Sequence, residues 1–265
     1  MKFTTGGAPR KYDVNCSILF TDLPLLERPA AAKAAGFDGV EFWWPFGENA
    51  TPADSEIDAF VAAIDVAGVQ LVGLNFIDLI PAGRGLVSVP GQETRFRDNI
   101  DIAVGIAERT GCKALNALYG NRIAGEDPAK QDELALENLR LAAAAAQRID
   151  AVVLLEALNA YESQDYPIVS AGHAIKIIEQ VGEPNVRFLC DLYHLARMGE
   201  NLPAVIDTWA GYLGHVQIAD TPGRGRPGSG ALDLEALLGD LDKAGYDGWI
   251  GLEYKDPELN WEWIK

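Results

Sequence analysis

The nine residues VRFLCDLYH, 186–194, decide how the chain is read. A short apolar run that ends abruptly in an acid, a phenol and an imidazole is the pattern of a buried strand delivering polar groups at its C-terminal tip. Taken alone, the stretch has plainer explanations: Asp191 caps a following helix, and His194 is a satisfied core histidine. The other apolar runs separate these readings. Three of them in the same half of the chain also finish in a side-chain oxygen, at Glu156 (VVLLE), Gln217 (HVQ) and Glu253 (IGLE).

Working outward, strand-like and helix-like segments alternate along the whole chain. After a loose start over residues 1–11, predicted strands cover 12–19, 37–43, 69–76, 113–119, 151–157, 186–191, 215–219 and 249–254. Helices are expected over 24–35, 53–67, 91–110, 128–149, 170–181, 202–212 and 232–244, several of them stopped by a glycine or opened by a proline. The unit echoes itself: AGFDGVEFW near the start resembles AGYDGWIGLEY near the end. Strands separated by single helices must pair in parallel, because a crossover helix returns the chain to the same end of the sheet. Eight such strands fit a single-domain α/β fold, the (β/α)8 TIM barrel, over residues 1–265. An open doubly wound sheet is the alternative, but the first strand is followed by SILFTDLP and not by a G-x-G-x-x-G turn.

Composition excludes several function classes. The net charge of −17 opposes association with nucleic acid or an anionic membrane. The densest basic run, Arg224 and Arg226 among Gly and Pro, suits a small anionic ligand better than a polymer. Cys16, Cys112 and Cys190 lie far apart in apolar runs without metal-ligand spacing, as buried thiols do in a reducing compartment. The N-terminus is too polar for a signal peptide, and no run approaches the ~20 apolar residues of a membrane span. A cytoplasmic protein acting on a small molecule is expected, with assembly into a homo-oligomer left open.

In a barrel of this kind the active site forms at the C-terminal strand ends. Glu156, Asp191, Gln217 and Glu253 then share one rim, where three carboxylates would repel one another strongly without a cation between them. A divalent metal resolves this, and all-oxygen ligation favours Mg²⁺ or Mn²⁺ over zinc. His194 would sit at the rim within reach of a substrate oxygen, with a helix-start histidine as the plainer reading. His215, at the start of its predicted strand, points away from the chemistry. Arg224 follows the seventh strand, where barrels often bind anions, and a guanidinium clamps a carboxylate bidentately. Glu41 reads as a supporting acid, Trp43, Trp44 and Phe46 as an apolar wall, and the segment 77–90 as a loop over the substrate. His173, inside a helix, has no assigned role.

The motifs NCSILFTDLP, GFDGVEFWWPF, CDLYH, HVQIADTPGR and GYDGWIGLEYK together resemble the hydroxypyruvate isomerase family of the xylose-isomerase-like barrels, from about residue 14 to 255. The resemblance implies a metal held by Glu156, Asp191, Gln217 and Glu253, with Glu156 and Glu253 passing a proton through an enediol between hydroxypyruvate and tartronate semialdehyde. It also keeps His215 as a candidate substrate contact, since a histidine near that motif often has this role in the wider superfamily. The chain departs from the family pattern in two loops. Gly225 and Arg226 stand where the family has a histidine and an acid, and NFIDLIPAGRG replaces a Pro-Ala-Gly-Asp-Trp run. The same machinery would also serve a 2-oxo-tetronate isomerase or a ketose epimerase. A non-catalytic barrel and an endonuclease-like phosphodiesterase are the remaining alternatives, the second disfavoured by three histidines and the acidic charge.

Overall fold

Local stop signals set the rhythm of the chain. The computed structural model describes residues 10–80, 83–256, 258–259 and 261. In order, the elements are β1 (Lys11–Asn15), α1 (Arg28–Ala35), β2 (Gly39–Phe42), α2 (Asp54–Ala67), β3 (Gln70–Asn75), α3 (Glu93–Thr110), β4 (Ala114–Asn116), α4 (Pro128–Gln147) and β5 (Val152–Glu156). Then come α5 (Ala171–Val181), β6 (Val186–Asp191), α6 (Leu192–Arg197), α7 (Leu202–Trp209), β7 (Leu213–Ile218), α8 (Leu234–Lys243) and β8 (Trp249–Leu252). Several helices end where a glycine takes the left-handed conformation that a side chain resists, as Gly68 does after α2 and Gly182 after α5. Others open on a side-chain cap: Asp127 accepts from the Ala129 N–H ahead of α4, and Ser170 accepts from the His173 N–H ahead of α5.

All eight strands pair in parallel, and β1 closes onto β8 to complete the barrel. The open sheet is thereby excluded. Of the predicted loose segment 1–11, residues 1–9 lie outside the described residues, whereas Arg10 pairs with Asp242 and Lys11 already belongs to β1. The predicted strand 12–19 stops early because Asn15 turns the chain, its carbonyl receiving the Ile18 and Leu19 N–H groups. The helix that the capping reading of Asp191 implied, α6, starts directly after β6, and a pair of two-residue strands, Leu79–Ile80 and Gly83–Arg84, lies within the long loop.

Outside the barrel, apolar helix faces pack on the strands. Phe60 of α2 meets Phe42 of β2 edge to face at 5.2 Å and Phe46 at 5.8 Å. Burial of one such ring stabilises by roughly 2–3 kcal/mol. Inside, alternation along each strand sorts the side chains into layers. Ala114, Leu154 and Leu189 form a small apolar floor. Two residues further on, the same strands present Asn116, Glu156 and Asp191. Across the barrel the floor is charged instead, built from Asp13, Glu41 and His215, all buried. The polar layer above these two half-floors is the candidate site.

Candidate active site

Asp191 shows how the sequence positions the site. It is the last residue of β6 and the N-cap of α6, and its Oδ1 accepts from the Tyr193 N–H at 2.8 Å and the His194 N–H at 3.3 Å. The cap occupies one oxygen only. Oδ2 is buried and has no hydrogen bond, with His194 Nε2 at 3.5 Å and Arg224 Nη2 at 3.9 Å. The capping and ligand readings of this residue are therefore compatible, each using a different oxygen.

Gln217 is the register partner of both Asp191 on β6 and Gly251 on β8. Its Nε2 donates to Glu41 Oε1 at 2.7 Å, and Oε1 is buried without a hydrogen bond. Because a carboxylate only accepts, Glu41 fixes which end of the amide faces away from it. Glu41 Oε2 in turn meets His215 Nε2 at 2.9 Å. β7 runs from Leu213 to Ile218, and His215, two residues before Gln217, shares its inward face one layer below. It supports the site through Glu41 and does not point away. Burial opposes charge on its imidazole, but Glu41, then Asp13 and Glu253, outweigh that and raise its pKa.

Glu156 ends β5, where Asn116 Nδ2 donates to its Oε2 at 2.9 Å and His194 Nε2 lies 3.9 Å from its Oε1. Burial, followed by Glu253 and Asp191, pushes its pKa well above the ordinary range. Glu253 follows β8, and its Oε1 receives the Trp43 Nε1–H at 2.7 Å and sits 3.0 Å from Arg224 Nη2. Burial first, opposed by Arg224, and then Asp191 and Glu41 bring Glu253 up to about 8. Asp191 rises to about 6, again through burial against the pull of Arg224. The cause is shared: buried carboxylates face one another with too little positive charge.

His194 occupies the first turn of α6, where its Nδ1 accepts the Asn159 backbone N–H at 3.0 Å. Burial and then the Arg224 and Arg84 guanidiniums hold it well below its usual pKa, so the ring is neutral with its proton on Nε2. That proton faces Glu156 and Asp191. Among the described residues, ligand atoms of Glu156, Asp191 and His194 lie within 4.8 Å of one another, as do those of Asp13, Glu41 and His215. Glu253, predicted as a ligand with Glu156 and Asp191, is also paired through Oε1 with Arg224. The two unsatisfied acceptors, Asp191 Oδ2 and Gln217 Oε1, together with Glu156, fit a hard cation, which would supply the positive charge the cluster lacks.

A cavity of about 390 Å³ opens above these groups, lined by Glu156, His194, Arg224 and Glu253 with Trp43, Asp78, Arg84 and Glu162 among others. Gln217 and His215 line a smaller one of about 230 Å³ beneath it. Trp43 forms cavity wall, as expected, but Trp44 and Phe46 meet edge to face at 5.1 Å, and Phe46 packs on Phe60 of α2. Sequence reading missed Asp78, Arg84 and Glu162, which lie on loops without periodic signal. Asn116 could have been found, since it occupies a strand tip just as Glu156 does. Arg224, at φ 55°, reaches Glu162 at 3.6 Å as well as Glu253 and Asp191, so protein carboxylates surround it.

A barrel with a cluster of buried acids at its C-terminal rim defines a broad class, and the family described as xylose isomerase-like TIM barrel matches residues 29–264. A putative hydroxypyruvate isomerase of Streptomyces coelicolor is 59% identical over 98% of this chain and 97% of its own length. The hydroxypyruvate isomerase of Escherichia coli is 34% identical over 92% and 93%, and a 2-oxo-tetronate isomerase of Pectobacterium atrosepticum is 31% identical over 92% and 91%. A solved structure described as an AP endonuclease, family 2, from Brucella melitensis superposes with a TM-score of 0.84 at 34% identity, covering 94% of each chain. The chain belongs to the xylose isomerase-like TIM-barrel family, in its hydroxypyruvate isomerase branch.

Proposed function

We propose that this isomerase interconverts hydroxypyruvate and tartronate semialdehyde, using Mg²⁺ or Mn²⁺ held by Glu156, Asp191, Gln217 and Glu253. The observation that carries the reading is the pair Glu156 and Glu253, which face one cavity from the tips of β5 and β8 with unsatisfied buried acceptors beside them. One glutamate removes the proton from the hydroxyl-bearing carbon, giving an enediolate. The other returns a proton to the former carbonyl carbon, while the hydroxyl proton passes between the two oxygens. The metal, when bound, supplies Lewis-acid stabilisation of the charge on those oxygens. His194 donates its Nε2–H to a substrate oxygen, and Arg224 holds Glu253 in place.

The 2-oxo-tetronate isomerase among the relatives supports a second reading that differs only in a longer substrate. The endonuclease description of the solved relative does not suit this chain: the net charge is −17, and one of the three histidines, His173 of α5, faces the Pro167 carbonyl ahead of that helix. Among the described residues no helix is long and apolar enough to cross a membrane. The three buried, free cysteines suit a reducing cytoplasm. The test is an assay of hydroxypyruvate, 2-oxo-tetronate and free ketose turnover after chelation and after return of Mg²⁺ or Mn²⁺. Metal-restored turnover of hydroxypyruvate is expected, and turnover of free ketoses alone would overturn the assignment.

A further inference from the structure

Two guanidiniums line the cavity above the acid cluster, and they are not equivalent. Arg224 is engaged: Nη2 lies 3.0 Å from Glu253, Nη1 lies 3.6 Å from Glu162, and Nε donates to the Glu253 carbonyl at 3.2 Å. Arg84 has no ion pair within 4.0 Å and no side-chain hydrogen bond among the described residues, although Asp78 shares the cavity wall. Its backbone is nevertheless fixed. The Arg84 N–H donates to Asn121 Oδ1 at 3.2 Å, and Arg84 pairs with Leu79 across the small two-stranded sheet. The next residue, Gly85, has φ 85° and approaches so closely that a Cβ there would lie 1.9 Å from the Leu118 carbonyl oxygen. A positioned, uncommitted cation at the wall of an otherwise acidic cavity suits an anionic group on the ligand.

We propose that Arg84, and not Arg224, receives the substrate carboxylate and so selects a small 2-oxo acid over an uncharged ketose. The inference rests on the isomerase reading of the site. It moves to Arg84 the carboxylate-binding role that the sequence suggested for Arg224: Arg224 orders a proton-transferring glutamate, and Arg84 binds the part of the substrate that does not react.

The test uses the metal-loaded full chain with Arg84→Gln and Arg84→Lys. Pyruvate, which carries the carboxylate but lacks the hydroxyl, is titrated calorimetrically. Steady-state turnover of hydroxypyruvate is compared with that of dihydroxyacetone, in which a hydroxymethyl group replaces the carboxylate. Loss of a charge-assisted pair is expected to weaken pyruvate binding in Arg84→Gln by about 10–100-fold. It should also raise KM for hydroxypyruvate more than it lowers kcat, and lower the hydroxypyruvate-to-dihydroxyacetone ratio of kcat/KM by a similar factor. Arg84→Lys should recover part of each loss. Unchanged pyruvate affinity in a folded Arg84→Gln protein, or an equal loss on both substrates, would overturn the proposal. If the unaltered enzyme turns over neither substrate, the isomerase reading fails, while the pyruvate titration still decides the role of Arg84.

Discussion

Glu41→Gln changes no volume in the barrel but removes the group that orients Gln217. Glu41 is 3% exposed and accepts two buried hydrogen bonds, from Gln217 Nε2 at 2.7 Å and from His215 Nε2 at 2.9 Å. A glutamine in its place offers one acceptor and one donor, so Gln217 is free to turn its amide over. The turned amide presents N–H groups where Oε1 now lies, and N–H groups cannot ligate a cation. Residues that orient metal ligands are typically worth 10–100-fold in metal affinity. That corresponds to about 1.4–2.8 kcal/mol here. Calorimetric titration of the metal-free protein with Mn²⁺ measures the loss, with the melting temperature as the control for folding. The companion Gln217→Glu has two oxygens and no wrong orientation, so the double variant Glu41→Gln/Gln217→Glu should recover most of the affinity. An Mn²⁺ affinity in Glu41→Gln within about twofold of the unaltered protein would refute this reasoning.

Glu253 rises to about 8 and Asp191 to about 6 in the metal-free protein, against about 4 for such groups when unfolded. A raised carboxylate makes the folded state the better proton binder, so metal-free stability falls as pH climbs from about 4 towards 8. A bound divalent cation favours the deprotonated forms, so the rise in melting temperature on adding Mn²⁺ should be larger at pH 8 than at pH 5, and an equal rise would contradict it. Trp43→Phe removes the N–H on Glu253 Oε1, which should move the acid limb of the kcat/KM profile upward by about one pH unit; no movement would show that the contact is not maintained in solution. Gly85→Ala should cost at least about 2 kcal/mol, lowering the melting temperature by roughly 4–8 °C, because the residue has a positive φ and its Cβ would collide with the Leu118 carbonyl.

Much of the architecture was legible because the chain writes its boundaries locally. The predicted strand 186–191 coincides with β6, since its apolar run ends in the aspartate that caps α6. Where boundaries failed, apolar residues beyond a strand's end were buried by turns instead of by the ladder. Cys16, Leu19 and Phe20 are core residues, yet they follow the turn at Asn15, and Phe20 has φ 59°. Ala117 and Tyr119 are likewise buried just past the end of β4. The candidate site was legible where a polar residue terminates an apolar run, which covers Glu156, Asp191, Gln217 and Glu253. Its electrostatics were not, because they depend on groups brought from distant loops. Nothing local ties Arg84 or Glu162 to Glu253, and only closure of the barrel brings Glu41 within bonding distance of Gln217. His215 was misplaced although it lies two residues before Gln217, and period-two alternation turns both inward wherever the strand opens.

The most direct measurement is NMR observation of hydroxypyruvate in D₂O with metal-loaded protein, alongside Glu156→Gln and Glu253→Gln. Proton transfer between these glutamates requires tartronate semialdehyde to appear with the unaltered protein, carrying solvent deuterium to the extent that each acid exchanges. It requires no product from either variant while both keep the melting behaviour of a folded barrel. Product at near-normal rates from either glutamine variant, or none from the unaltered protein, would contradict the assignment.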